Sequence, residues 1–330
     1  MKFLLFLLSL FNRSGCQIKN WLYKKRILTP KKAPLSVISV GSIALGGSEK
    51  TPLVINLMNY LIKHGFKPAL ISRGYKGRWE KSGGILSDGK NILAHWEDSG
   101  DESFMVAQNI PQAGIFIGKN RLLSCQKAKS LAFELAVLDD GFQHRRLHRD
   151  LDIVLYTPAE KTALRESVSS LKRANIILMK KGVDPQRKKR MMERFPEPTV
   201  FEYSVRNKGF FSLMDKQSQP GEKLKGKKVL AFCGIARPER FLSILNEGGI
   251  KPSFFFKFPD HHPYPKSSLE KITGKYKKIN AEAIITTEKD AFKITHNESL
   301  KKIPAYYLKI DLEVEDNFYA RISNLLQNWL

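Results

Sequence analysis

The sequence predicts an α/β protein of two successive domains, and three observations carry that expectation. An apolar, β-branched run at Val37, Ile38 and Val40 passes into a glycine-rich turn, a Lys-Thr pair and helical spacing. Strand-like and helix-like stretches then alternate to the end of the chain. A polar stretch at 217–228, with Pro220, Gly221 and Gly226, splits that alternation in two. At 330 residues and 42% hydrophobic content the chain can bury two cores.

The first element, residues 1–34, begins with KFLLFLLSLF at 2–11. This run is half the length of about 20 residues that a bilayer span requires. Ser14-Gly15-Cys16 resembles the end of a lipoprotein cleavage site, but Arg13 stands where an apolar residue belongs, and no A-x-A follows. Trp21, Leu22 and Tyr23, then Lys24, Lys25, Arg26, Lys31 and Lys32, extend the segment with an amphipathic, basic character. An in-plane membrane anchor is the expectation, with a cleaved signal as the other reading.

Residues 35–197 form the first expected domain. Its opening stretch, LSVISVGSIALGGSEKT at 35–51, has the layout of a phosphate-binding loop: strand, glycine turn, Lys50-Thr51, helix. In such a loop backbone N–H groups and the helix N-terminus face phosphates, Lys reaches the terminal ones and Thr ligates Mg²⁺. Pro52 suits the first helical turn, where its missing N–H costs little. Ala44 stands at the first glycine position of the motif and Glu49 at the second. Alone, the stretch fits a phosphate loop and a plain strand–turn–helix corner equally well.

Val54, Leu57, Met58 and Leu61 have helical spacing, and Gly65 stops that helix. The next short strand, 67–71, runs into SRGYKGR. Arg73 there sits where open α/β sheets receive ligands, although a solvated turn reads the same way. Ser99 and Glu102 spell a capping box for a helix running toward Gln108, which leaves Asp101 unexplained. ELAVLDD at 134–140 is an apolar strand tipped by Asp139 and Asp140, the Walker B form in which a strand-end carboxylate holds Mg²⁺. Gln143 and His144 follow and join Arg73 as candidate substrate contacts. His148-Arg149-Asp150-Leu151 imitates a protein-kinase catalytic loop, but Leu155 stands where that motif needs Asn, and the match is read as coincidence. Further buried strands are expected at 152–156 and 175–179, and KKGVDPQRKKR at 180–190 reads as a solvated basic face.

Residues 198–226 are expected to be a linker in which strands at 199–205 and 210–213 pair. Residues 227–330 repeat the α/β pattern, with strands near 229–233, 253–258, 283–286 and 305–310 and helices near 238–245, 266–276 and 317–329. Asp260, His261 and His262 lie together, but one His pair without further ligands is a weak metal signal. The net charge of +24 points to an acidic partner (nucleic acid, an anionic membrane or a phosphorylated substrate), or to a Lys-rich solvated surface. Cys16, Cys125 and Cys233 form neither a metal pattern nor a disulfide framework, which suits a reducing cytosol.

Together the stretches SVGSIALGGSEKTP, SRGYKG, GDE, LDDGFQHRRLHRDLDIVL, ALRE, AFCGIARPERF, FPDHHPY and TTEKDAFK resemble the tetraacyldisaccharide 4'-kinases of lipid A synthesis. The resemblance implies a P-loop NTPase-like α/β/α domain joined by a two-stranded linker to a smaller C-terminal α/β domain. It implies an ATP- and Mg²⁺-dependent kinase on the cytoplasmic face of the inner membrane, peripheral or N-terminally anchored. The substrate it implies is a lipid A disaccharide 1-phosphate, phosphorylated at the 4'-hydroxyl. Ala44, Leu45, Gly46, Gly47, Ser48, Glu49, Lys50 and Thr51 would surround the ATP phosphates, and Thr51, Asp139 and Asp140 would hold Mg²⁺. Asp101 matches the general base and His261 its partner.

The sequence departs from the family pattern at Ser42 (usually Asn), Glu49 (usually Gly), and Ser103 and Ser167 (usually Pro). Glu49 is expected to point to solvent or to pair with a cation such as Arg73. It leaves a degenerate relative with weak or no kinase activity as an alternative. A basic nucleic-acid-binding P-loop ATPase is another, but the sequence carries no aromatic-interleaved basic stripe or RNA-binding motif, so no nucleic-acid partner is expected.

Overall fold

A computed structural model describes residues 18, 20–44, 49–156, 158, 164–295, 297–327 and 329. The chain divides into two compact units: Met1–Ser204 with Leu312–Leu330, and Val205–Asp311.

The first unit is built on β1 (Ser36–Ser42), β2 (Pro68–Ser72), β3 (Gly84–Asp88), β4 (Gly114–Ile117), β5 (Leu135–Asp139), β6 (Leu151–Leu155), β7 (Ile176–Lys180) and β8 (Thr199–Ser212). Their order is β8-β7-β6-β1-β5-β2-β4-β3, parallel throughout except for the antiparallel β3–β4 edge. Central parallel strands are covered on both faces, so they read as continuous apolar runs. One face packs Val37, Ala69, Ile71, Phe116, Ala136 and Leu138 together. The other packs Ile43, Phe142, Val154, Ile177 and Met179. Its longer helices include α1 (Lys50–Lys63), α2 (Asp101–Asn109), α3 (Arg121–Ser130) and α4 (Pro185–Arg194). In α1 the helical spacing legible in the sequence becomes a fully buried face of Leu53, Val54, Leu57, Met58 and Leu61.

Strand order reverses around β1. The chain leaves β1 through α1 for β2, beyond β5, whereas β6, β7 and β8 lie on the other side. The C-terminal ends of β1 and β5 therefore flank a topological switch point, where sheets of this kind bind ligands.

The second unit holds β9 (Ser218–Gln219), β10 (Val229–Cys233), β11 (Phe254–Lys257), β12 (Ala283–Thr287) and β13 (Ala305–Val314), with α5 (Pro238–Glu247), α6 (Lys266–Lys278) and α7 (Glu288–Ile294). The parallel order is β11-β10-β12-β13. Alternation along β10 sends Leu230 and Phe232 to one core and Val229, Ala231 and Cys233 to another. The final helix, α8 (Asn317–Gln327), follows β13.

Several expectations change here. Thr199–Ser212 is one continuous strand, and its far end pairs Phe210 and Phe211 with Ser218 and Gln219. The chain passes between the units twice, once within β8 and once within β13. The tail expected in the C-terminal domain belongs to the first unit from Leu312 onward. There Asn56 Nδ2 donates to the Leu312 carbonyl at 2.7 Å, and Tyr60 stacks on Tyr319 with centroids 4.6 Å apart. The capping box does not form. Ser99 ends a separate turn of helix and donates to the His95 carbonyl, while Gly100, at φ +80°, precedes α2. In the His148–Leu151 stretch Arg149 forks onto Asp152, and Asp150 accepts the Val37 N–H at 2.7 Å.

Candidate active site

The site assembles where β1 and β5 end side by side. Val40 lies opposite Asp139 in the parallel register. Gly41 makes the close approach possible, since a Cβ there would meet the Phe142 Cβ at 2.5 Å. Ile43 and Ala44 continue β1, with the Ser42 hydroxyl accepting the Ala44 N–H at 3.0 Å. Leu45, Gly46, Gly47 and Ser48 lie outside the described residues. The chain returns at Glu49, the N-cap of α1 in left-handed conformation (φ +51°, ψ 24°), and Lys50 and Thr51 open the helix. A left-handed residue at this position explains why glycine suits it, because the Cβ costs roughly 1–2 kcal/mol there.

Glu49 does not extend freely into solvent. It is half-buried, and the Tyr203 hydroxyl donates to its Oε2 at 3.4 Å. Nor does it pair with Arg73, whose Nε donates to Glu80 Oε1 at 2.7 Å.

Lys50 reaches across to the paired acids, with its Nζ 3.3 Å from Asp140 Oδ1. Asp140 itself is in left-handed conformation (φ +52°), and its other oxygen accepts from the Arg165 guanidinium. Burial works to raise the Asp140 carboxyl, but Lys50 and Arg165 outweigh it and hold it below the usual carboxylate range. Asp139 behaves oppositely. It is 4% exposed, and its Oδ1 is buried without a hydrogen-bond partner among the described residues. Burial, then the negative charges of Glu102 and Asp140, push its carboxyl up to about 7, against the pull of Lys50 and Arg121. A buried, partnerless carboxylate oxygen beside a second acid is a position that favours a cation.

Two arginines that sequence reasoning passed over complete the cluster. Arg165 sits in the ALRE stretch and is tied to the loop by its backbone, its N–H donating to the Ile43 carbonyl at 2.7 Å. Arg121, at the start of α3, is 4% exposed and donates to the Gly118 carbonyl. Burial brings its guanidinium down to about 10 despite the nearby Asp139 and Asp140, and its Nε is buried with no partner among the described residues. Glu102 was seen only as half of a capping box, yet its charge reaches Asp139 and Arg165. Nothing in the local sequence marks Arg121, because its neighbours are brought together only by strand order.

Asp101 is buried, 6% exposed, at the first position of α2. The preceding loop interlocks with SRGYKG: at Gly74 (φ +65°) a Cβ would meet the Ser99 carbonyl at 2.9 Å. The Ser103 hydroxyl donates to the Ser72 hydroxyl at 2.8 Å and so ties α2 to the end of β2. Gln143 turns back toward β1, donating to the Ser42 carbonyl at 3.0 Å, and the His144 carbonyl accepts from Arg149.

His261 belongs to the second unit. It is left-handed (φ +63°), its N–H donates to the Gly234 carbonyl, and its Nε2 lies 3.4 Å from Lys289 Nζ and 3.7 Å from Asp260. His262 turns elsewhere, stacking on Phe258 and meeting the Ser268 hydroxyl at 2.8 Å. The two histidines therefore share no metal position, and no group of three or more His, Cys, Asp or Glu side chains poised for a metal occurs among the described residues.

A family model described as tetraacyldisaccharide-1-P 4'-kinase, LpxK, matches residues 1–327. The tetraacyldisaccharide 4'-kinase of Syntrophus aciditrophicus is 33% identical over 334 residues, covering 94% of this chain and 89% of its own. That of Desulfotalea psychrophila is 36% identical over 317 residues, covering 90% and 88%. Among solved structures, the crystal structure of LpxK from Aquifex aeolicus in complex with ATP has 28% identity and a TM-score of 0.75 over 98% of each chain.

Proposed function

The chain belongs to the tetraacyldisaccharide-1-P 4'-kinase family, and from that premise we propose how its residues divide the work of the reaction. The reaction is ATP-dependent 4'-phosphorylation in lipid A biosynthesis. Phosphoryl transfer needs little covalent help from a protein, and the barrier falls through positioning and charge neutralisation. The observation that carries the assignment is the Lys50–Asp140–Arg165 chain beside buried Asp139 and Arg121 at the ends of β1 and β5.

Lys50 neutralises the terminal phosphate oxygens as charge builds on them. Arg165, from the loop after β6, and Arg121, from the start of α3, add positive charge, and the Arg121 Nε, which has no partner among the described residues, is a donor suited to an anion. Thr51, Asp139 and Asp140 would hold Mg²⁺, with Glu102 adding negative charge nearby. Bound there, Mg²⁺ would supply Lewis-acid neutralisation of the phosphates. The partnerless Asp139 oxygen supports that fit. Asp101, buried at a helix start, takes the proton from the attacking 4'-hydroxyl, and His261 assists it. Arg73, half-exposed just past the end of β2, faces the anionic lipid head, and Gln143 and His144 are further candidate contacts to it.

The substrate is a lipid A disaccharide 1-phosphate, and the protein works at the inner-membrane surface. Exposed Ile18, Trp21, Ile27 and Leu28 beside Lys24, Lys25 and Arg26 support that placement. Residues 2–11 lie outside the described residues, and no described helix is long and apolar enough to cross a membrane.

The test is transfer of labelled γ-phosphate from ATP to purified disaccharide 1-phosphate by wild type and Lys50→Ala. Wild type should transfer label, with a loss on the order of 10²-fold or more in the variant. Equal turnover in the two would remove the phosphate-loop assignment. Absence of label transfer in wild type, restored by Glu49→Gly, would instead favour the degenerate relative.

A further inference from the structure

The Asp140–Arg165 pair is assembled from two loops, and one side chain of the N-terminal segment bridges both of them. Asn20 Nδ2 donates to Glu166 Oε2 at 2.8 Å, and Glu166 is the residue next to Arg165. The Asn20 side-chain oxygen and backbone carbonyl both accept from Arg145 Nη1, at 3.0 and 3.1 Å, and Arg145 lies five residues beyond Asp140. Asn20 therefore ties the loop that leaves Asp140 to the loop that carries its partner.

The surroundings make this bridge stiff. Glu166 is 3% exposed and also accepts from Arg173, whose guanidinium lies 4.2 Å from the centre of the Phe142 ring. The Arg145 guanidinium lies 4.6 Å from the ring centre of Tyr23, one helical turn from Asn20. Charge-assisted bonds to a buried carboxylate are the stronger kind, and a network of them holds its members in one geometry. Outside this clamp the same segment leaves Ile18 and Trp21 exposed.

We propose that Asn20 is a positioning residue for phosphoryl transfer: it couples the seating of the N-terminal segment to the geometry of the Asp140–Arg165 pair. The inference rests on the assignment of that pair to the phosphoryl site. Its consequence is that the segment acts on turnover itself, in addition to any hold on membrane or lipid. A clamped pair fixes Asp140 against both Arg165 and Lys50. A released one lets Arg165 swing, and misplacement by even about 1 Å costs rate in a positioning-limited reaction.

The experiment is a double-mutant cycle in the full chain, assayed with detergent-dispersed disaccharide 1-phosphate so that membrane attachment plays no part. Asn20→Ala should lower kcat about 5- to 10-fold while KM for ATP and for the lipid stays within about 2-fold. In an Arg165→Ala background the same substitution should change kcat by less than about 2-fold, because the pair it positions is gone. Asn20→Asp keeps the acceptor for Arg145 and loses the donor to Glu166, so it should show the same kcat-only defect. It also stands in if Asn20→Ala folds poorly by thermal melt. An unchanged kcat in both Asn20 variants overturns the proposal. So does an equal fold-loss in both backgrounds, or a defect confined to KM for the lipid. Wild-type turnover in Arg165→Ala alone would remove the site assignment, and the coupling with it.

Discussion

Asp139 and Asp140 are adjacent in sequence, yet their environments drive their protonation in opposite directions. Asp140 is matched by two cations, whereas Asp139 is buried, its Oδ1 has no hydrogen-bond partner among the described residues, and its carboxyl is raised to about 7 from an ordinary 3.8. A carboxyl raised in the fold holds an extra proton there between about pH 4 and pH 7. Its contribution to stability is present below that window and is lost as pH rises through it. With metal chelated, the melting temperature should therefore fall from pH 5 to pH 8, and Asp139→Asn should flatten that slope; parallel slopes would refute the assignment. Glu49 is a second residue-scale case. Its left-handed backbone is strained, and if the loop binds ATP as proposed, a carboxylate about 5 Å from a phosphate charge would add repulsion of about 3 kcal/mol at an effective dielectric near 20. The Tyr203 hydroxyl relieves part of that charge. Glu49→Gly should lower KM for ATP roughly 3- to 30-fold, equivalent to about 0.7–2 kcal/mol, with a smaller change in kcat. An unchanged KM would mean that the carboxylate is fully accommodated. For the proposed base, Asp101→Ala should cut kcat strongly while ATP binding, followed by titration calorimetry, persists. His261→Ala should be milder, and the double variant less than additive, as groups acting as a unit are. Additive losses would argue for separate roles.

At the scale of elements, α1 carries two duties. Its N-terminus presents Lys50 and Thr51, while its middle is braced by the C-terminal tail through Asn56 and Tyr60. Phe318 of α8 is fully buried and meets Phe201 of β8 edge-on, with centroids 5.7 Å apart. Phe318→Ala should destabilise the first unit by about 3–5 kcal/mol, the usual cost of emptying such a site. Chemical denaturation would read that loss, and a change under 1 kcal/mol would show that α8 is not integral to this unit. The helical spacing of α8 was plain in the sequence, but its partner was not. Chain order suggested the C-terminal domain, whereas β13 carries the tail back to the first unit. Likewise β8 read as two short strands because polar Arg206, Asn207 and Lys208 interrupt its apolar pattern. Those residues are exposed, and the backbone ladder continues regardless of their polarity.

For the whole molecule, the net charge of +24 combines with an N-terminal segment that exposes Ile18, Trp21, Ile27 and Leu28. Attraction of that kind weakens as salt shortens the screening length. The protein should sediment with anionic vesicles at low salt and release partly as salt rises, and deletion of residues 2–20 should abolish the salt-resistant fraction. Retention of that fraction by the truncated chain would place the attachment elsewhere. By itself the sequence determined the α/β class, the strand tips at Ser42 and Asp139 and the family, because those are properties of contiguous stretches. Apolar runs, glycine turns and helical spacing depend on near neighbours, and they survive translation into structure almost unchanged. Only the tertiary structure decided that Arg121 and Arg165 join those acids, that Glu49 meets Tyr203 and not Arg73, and that Asn20 bridges the loops of Arg145 and Glu166. Each of those contacts joins residues far apart in the chain through strand order and burial, and an isolated arginine or asparagine carries no local pattern that announces its partner.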